Sequence, residues 1–288
     1  MINHVQFPKL GIELVINRVA FSINGFDIYW YGILFTTAVV TGGAVALYLG
    51  KKLGINDDDF IDLMIVGTIC GVIGARAYYV AFAPFEYKTL WDMINLRDGG
   101  IGIYGGLIAG LAAGWFGCKW KKINFLDAAD CVFTGFLFGQ TFGRWANFMN
   151  QEAFGTNTEN IFGMISESTT RYLSRVAPSL ARQGINVDPN MPVHPTFLYE
   201  SVWCAIGFII LFTHFKKRKF SGEMLCMSAA WYGFGRFFIE GLRTDSLATR
   251  GGLRTSQIIA VVTVVAAVVC IVYNYMKIGK AGEKIHNG

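Results

Sequence analysis

The stretch FGRWANFMN, residues 142–150, ends a long apolar run with an arginine and two asparagines. On a helix, Gln140, Arg144, Asn147 and Gln151 follow spacings of four, three and four, so they share one face. A planar guanidinium beside amides is suited to holding a phosphate or carboxylate. A second group is GFGRFFIEGLRTD, residues 233–245. There Arg236 and Glu240 stand four apart and Arg243 three further on, one face again. An ion pair explains the first two, and leaves Arg236 with donors to spare. A third is VHPTFLYE, residues 193–200, where His194 could act as a base or a helix cap. Glu200 falls one turn inside an apolar segment, a costly place unless it is paired. The glycine-rich stretch GGIGIYGGLIAG, residues 99–110, carries Tyr104 as its one polar tip. Neither the Walker nor the Rossmann phosphate-loop spacing is present in it. YWYG, residues 29–32, places Tyr31 among interfacial aromatics.

The elements that must position these residues are membrane helices. The 288-residue chain is 53% hydrophobic and only 16% charged, with a mean hydropathy of +0.41; a soluble domain averages about 25% charged. Seven segments approach the length needed to cross a bilayer: 28–49, 60–82, 101–118, 126–148, 197–215, 223–241 and 257–276. The expected fold is therefore an all-α polytopic membrane protein of about seven transmembrane helices, one integral domain over residues 1–288. Residues 150–195 form the one long polar insertion, read as a small extracytoplasmic cap between spans four and five. The first 27 residues lack the continuous apolar core of a cleavable signal peptide.

Lysine sets the orientation. Lys51 and Lys52, Lys119, Lys121 and Lys122, Lys216, Lys217 and Lys219, and Lys277, Lys280 and Lys284 follow every second span. The positive-inside rule then puts the N-terminus and the cap outside and the C-terminus inside. Arginine departs from this pattern. Arg76, Arg144 and Arg236 lie in or at the ends of spans, and Arg243, Arg250 and Arg254 crowd the last outer loop. The outer half of the protein thus reads as built to hold an anion. Arg171, Arg175 and Arg182 sit in the cap, which covers the site, guides a substrate or serves only as scaffold. The six cysteines show no CxxC and no metal-ligand spacing, and read as small apolar residues. No metal, organic cofactor or nucleic-acid partner is expected. A transporter or flippase for an anionic headgroup, and a membrane phosphatase or phospholipase, fit these residues as well as a transferase does.

FGRWANFMNQEAFG, residues 142–155, closely resembles the signature of the bacterial prolipoprotein diacylglyceryl transferases, roughly G-R-x-x-N-F-x-N-x-E-x-x-G. YWYG, the glycine-rich turn, HPTFLYE and GRFFIEGLRTD match further landmarks in order, so the resemblance spans nearly the whole chain. It implies transfer of the diacylglyceryl group of phosphatidylglycerol to the thiol of the lipobox cysteine in a preprolipoprotein signal peptide. Glycerol phosphate is released, at the outer leaflet of the bacterial inner membrane and without a cofactor. By position it implies that Arg144 and Arg236 face the lipid phosphate, and that Asn147, Glu152, Gly155, Tyr31 and Glu240 shape the site. Many members carry histidine, a proposed base, where this chain has Tyr104. An ordinary tyrosine has a pKa near 10 and is a poor base at neutral pH. Glu152, Tyr104 and His194 therefore remain equal candidates for the base.

Overall fold

The computed structural model describes residues 2–83, 87, 89–95, 99–182, 184–244 and 254–286, with side chains as far as 280. Asp245 and Arg250 lie outside the described residues. The chain divides into two compact units, Met1–Gly42 with Phe133–Gly288, and Gly43–Val132.

The first unit begins with strands, not with a helix: β1 Ile2–Phe7, β2 Ile12–Asn17, β3 Val19–Ile23 and β4 Phe26–Tyr29. The all-α expectation fails here. Asn3, Val5 and Phe7 of β1 point inward on a period of two. Asn24 and Gly25, both with positive φ, turn β3 back on β4, as an Asn-Gly pair between apolar runs favours. β1 lies between β2 and β5, the short strand Ile165–Ser166, and is antiparallel to both. Residues 150–195 consequently share a core with the N-terminus instead of standing alone. Val5, Phe7, Ile16, Phe148, Phe154, Met164, Leu173, Val193 and Phe197 form that core.

The helices follow the apolar segments closely. α1 is Trp30–Lys52, α2 Asp57–Ala81, α3 the short Leu90–Ile94, α4 Ile103–Lys121 and α5 Phe125–Asn150. In the polar insertion α6 is Glu167–Ala181, opened by a capping box of Ser166 and Thr169. α7 is Thr196–His214, α8 Glu223–Leu242 and α9 Thr255–His286. Among the described residues four helices are long and apolar enough to cross a membrane: Trp30–Lys52, Asp57–Ala81, Thr196–Lys217 and Thr255–Lys280. α4 is diluted by glycine, while α5 and α8 carry charged residues, Arg144, Arg236 and Glu240 among them.

Glycine sets how closely the helices approach. A Cβ on Gly42 of α1 would stand 2.8 Å from the Gly135 carbonyl oxygen of α5, and one on Gly139 2.6 Å from that of Ala38. Gly135 and Gly139 thus form a contact face of α5 against α1. In the second unit Gly74 of α2 and Gly105 of α4 meet so tightly that either Cβ would strike the other helix's backbone. Arg76, buried in this unit, spends its donors on main-chain carbonyls. Its Nε donates to Met93 O, Nη1 to Gly99 O and Gly100 O, and Nη2 to Asp92 O, at 2.6–2.8 Å. It fastens α3, Gly99 and Gly100 to α2 and is withdrawn from the anion-binding set.

Candidate functional site

In the first unit, charged side chains from α5, α7 and α8 converge. Glu200, on the second turn of α7, is 5% exposed and joins two arginines. Its Oε2 lies 2.6 Å from Arg144 Nε, and its Oε1 accepts a hydrogen bond from Arg236 Nη1 at 2.8 Å. The two contacts differ in kind. Arg236 meets Glu200 along a hydrogen-bond axis, whereas Arg144 Nε and Glu200 Oε2 touch off-axis, without a hydrogen bond. Arg144 Nη2 donates instead to Tyr232 Oη at 2.9 Å. Arg236 Nη2 lies 2.5 Å from Glu240 Oε2, the i,i+4 pair expected from the sequence. Arg243 Nη1 approaches Glu200 Oε1 at 3.9 Å, and Arg254 Nη1 donates to the Glu240 carbonyl. Arg144, Arg236 and Arg243 thus all approach the one buried carboxylate of Glu200. A small cleft of about 10 Å³ adjoins the network, with Glu200, Tyr232 and Arg236 on its polar side.

The helices are held in register by polar contacts. Ser201 Oγ donates to Thr141 O of α5 at 2.7 Å and accepts from Trp145 Nε1. Ser228 Oγ of α8 donates to Phe133 O of α5. Trp203 and Trp231 stack at 4.3 Å, and each indole N–H donates to the other residue's carbonyl at 2.9 Å. Each ring lies over a glycine of the opposite helix, Trp231 over Gly207 and Trp203 over Gly235. This reciprocal clasp fixes α7 against α8 within a turn of Glu200.

The signature turn closes the site from the side of the polar insertion. α5 stops at Asn150, whose carbonyl accepts from Arg18 Nη2, a cation suited to a helix C-terminus. Gln151 and Ala153 then take φ values of +53° and +57°. Gln151 therefore leaves the helical face it is expected to share with Arg144, and turns its amide back to Phe148 O. The same turn brings Glu152 round to Asn147, whose Nδ2 donates to Glu152 Oε1 at 3.0 Å. Gly155 is buried where strands of backbone cross: its N–H donates to His194 O, and Thr156 N–H donates to Leu242 O. A Cβ on Gly155 would come within 2.8 Å of both His194 Cβ and Leu242 O. Gly155 thus makes possible the approach that joins the ends of α5 and α8 to the start of α7.

His194 faces Tyr199, with Nδ1 to Oη at 3.2 Å, and burial lowers its pKa below the ordinary histidine value. Tyr31, in the first turn of α1, is exposed, stacks on Phe35, and feels the charges of both Glu152 and Arg144. Tyr104 belongs to the second unit, exposed in the first turn of α4 and 6.4 Å from the Tyr78 ring. Arg171 and Arg175 lie on the exposed side of α6 and Arg182 follows it. The sequence singles out Glu200 only as needing a partner; its central place, and that of Tyr232, depend on contacts between helices. Among the described residues no three His, Cys, Asp or Glu side chains converge to hold a metal ion.

A family model described as prolipoprotein diacylglyceryl transferase matches residues 18–273. A phosphatidylglycerol–prolipoprotein diacylglyceryl transferase of Finegoldia magna is 40% identical over 93% of this chain and 100% of its own length. Proteins of the same name from Clostridioides difficile and Bacillus cytotoxicus are 39% and 38% identical, over 89% and 96% of this chain and 95% and 98% of their own lengths. The chain belongs to the prolipoprotein diacylglyceryl transferase family.

Proposed function

We propose that this protein is a transferase that moves the diacylglyceryl group of phosphatidylglycerol to the lipobox cysteine thiol of a preprolipoprotein signal peptide, releasing glycerol phosphate. The observation that carries the reading is the buried network in which Arg144 and Arg236, from two helices, converge on one carboxylate beside a cleft. The names of the relatives agree with it.

In this reaction the cysteine sulfur attacks the glycerol carbon that bears the phosphate. The S–C bond forms, the C–O bond breaks, and its electron pair leaves on the phosphate oxygen. The thiol proton passes to a base. Charge grows on the phosphate as the bond breaks, and Arg144 and Arg236 are the donors set to stabilise it. Such preorganised stabilisation of developing charge usually lowers a barrier more than any other device. Tyr232 and Glu240 hold the two guanidinium groups at their distances. Asn147, Glu152, Tyr31 and Gly155 shape the entrance to the site. Glu152, His194 and Tyr104 are the candidates for the base. Burial keeps His194 uncharged at neutral pH and therefore able to accept a proton. A free thiol, with a pKa near 8.5, already supplies some thiolate.

The protein is placed in the bacterial inner membrane with seven spans, α1, α2, α4, α5, α7, α8 and α9. Its active site faces the outer leaflet, and the lipid enters from the bilayer. The lysine-rich ends of alternate helices support this orientation. So does the pairing of β1 with β5, which requires the N-terminus and residues 165–166 to lie on the same side of the membrane. Residues 150–195 with the N-terminal strands form the extracytoplasmic cap.

The test uses purified protein in detergent, labelled phosphatidylglycerol and a lipobox peptide with or without its cysteine. Label is expected on the peptide only when the cysteine is present. Glycerol phosphate released equally without the cysteine would make the protein a lipid hydrolase, and lipid binding without product would make it a carrier.

A further inference from the structure

The transferase reading leaves Glu200 without a role. Its carboxylate lies between the two guanidinium groups that the reaction requires for phosphate, and both carboxylate oxygens are engaged. The engagement is unequal. Arg236 holds Oε1 by a direct hydrogen bond, and Arg243 adds a weaker attraction to the same oxygen. Arg144 holds Oε2 by charge alone, with its buried Nε–H pointing off the contact. A buried guanidinium whose N–H lacks an aligned acceptor forgoes much of a charge-assisted hydrogen bond. The Arg144 side of the bridge is therefore the cheaper one to open.

Building on the phosphatidylglycerol reading, we infer that Glu200 is an exchangeable internal anion. It neutralises Arg144 while the site is empty and yields that position to the lipid phosphate. Glu200 stays on Arg236 and Arg243 throughout, and the phosphate takes the unaligned Nε–H of Arg144. The exchange has two consequences. An empty site never leaves the buried Arg144 guanidinium without a counter-charge, since its other partner, Tyr232, is a neutral phenol. After transfer, the returning carboxylate competes with glycerol phosphate for Arg144 and helps to expel it. Glu200 is thus a positioning and product-release residue, and does not touch the reacting carbon. The tryptophan clasp one turn further along α7 limits how far the carboxylate can withdraw.

The experiment measures glycerol phosphate as an inhibitor of transfer, together with KM and kcat, in the wild type, Glu200→Gln and Glu200→Asp. Removing one negative charge a few ångströms from an anion site strengthens anion binding strongly in a weakly polar interior. Glu200→Gln is therefore expected to bind glycerol phosphate about tenfold more tightly, to lower KM for the lipid and to lower kcat through slow release. Glu200→Asp keeps the charge and is expected to retain an inhibition constant within about threefold of the wild type. A weaker inhibition constant in Glu200→Gln, with kcat and KM both worsened, would show that Glu200 only orients the arginines and would overturn the exchange. If Glu200→Gln fails to accumulate, Glu200→Asp decides by salt dependence. The exchange predicts that added chloride relieves product inhibition more in the aspartate variant, whose shorter arm competes less well for Arg144, and equal relief would overturn it. Wild-type protein that transfers nothing to the peptide defeats the underlying reading instead, a result these variants cannot mimic.

Discussion

Arg76 and Arg144 are both arginines of helices in an apolar chain, and they end in opposite circumstances. Arg76 donates to four main-chain carbonyls, on residues 92, 93, 99 and 100. Those acceptors are part of the fold and cannot leave, so the guanidinium is a fastening. Arg144 is held by a phenol and a carboxylate on other helices, one contact of which lacks an aligned hydrogen bond. Side-chain partners can rotate away, so this guanidinium can change partners. An arginine in an apolar segment is therefore not by itself a sign of a site; what receives its N–H groups decides.

The same conservative substitution in both places should separate the two roles. Arg144→Lys keeps the charge but loses the planar fork, and is expected to cut transfer about 100-fold or more. Its melting temperature should stay close to the wild type. Arg76→Lys forfeits most of the carbonyl contacts, hydrogen bonds to a charged group being worth roughly 1.5–3 kcal/mol each. Its melting temperature is expected to drop by about 5 °C or more, while the protein that remains folded keeps most of its turnover. Transfer lost in Arg76→Lys at an unchanged melting temperature would erase the distinction. The tryptophan clasp lies between these extremes. Trp203→Phe keeps a ring over Gly235 but removes one N–H donor, a loss of about 1 kcal/mol. Its effect is expected in stability and modestly in kcat, and a change in KM alone would argue against a positioning role.

The residues of the site also differ in how legible they are from sequence. Arg236 and Glu240 can be paired on paper because they stand four residues apart on one helix. Arg236 is also the partner of Glu200, 36 positions away on another helix, and no spacing rule reaches that far. Gln151 departs from its expected face for the opposite reason. The helical spacing continues one residue too far, past Asn150 into a left-handed turn. The N-terminal strands escape a hydropathy reading because hydropathy finds spans, although the alternation of Asn3, Val5 and Phe7 and the Asn24–Gly25 pair are visible there. Helix positions, by contrast, are clear: an apolar run of about 20 residues has few other destinations.

The smallest expected effects are local. Ala153→Gly relieves a left-handed residue that carries a Cβ and should raise stability by about 1 kcal/mol, readable as a small upward shift in melting temperature. His194 titrates with a sign that can be fixed. Burial depresses its folded pKa, so between the unfolded value near 6.5 and the lower folded one the unfolded chain holds the extra proton. Stability is then full above about pH 6.5 and declines as the pH falls through that window. His194→Gln should flatten this part of the profile, and an unchanged slope would assign it to other groups.

The sheet that ties the N-terminus to the polar insertion also has a schedule. Ser168 Oγ donates to Asn3 Oδ1 across 165 positions of chain, beside the pairing of β1 with β5. β2 is available almost as soon as β1 is made, but the other edge of β1 waits for Ile165. At the rate of bacterial synthesis that delay is on the order of ten seconds. During that interval a bare strand edge, the kind that invites wrong partners, stands beside a nascent chain still threading its helices into the bilayer. Glu200 and Tyr232 are made only after Ile165, so the strand edge is retired before the partners of Arg144 arrive.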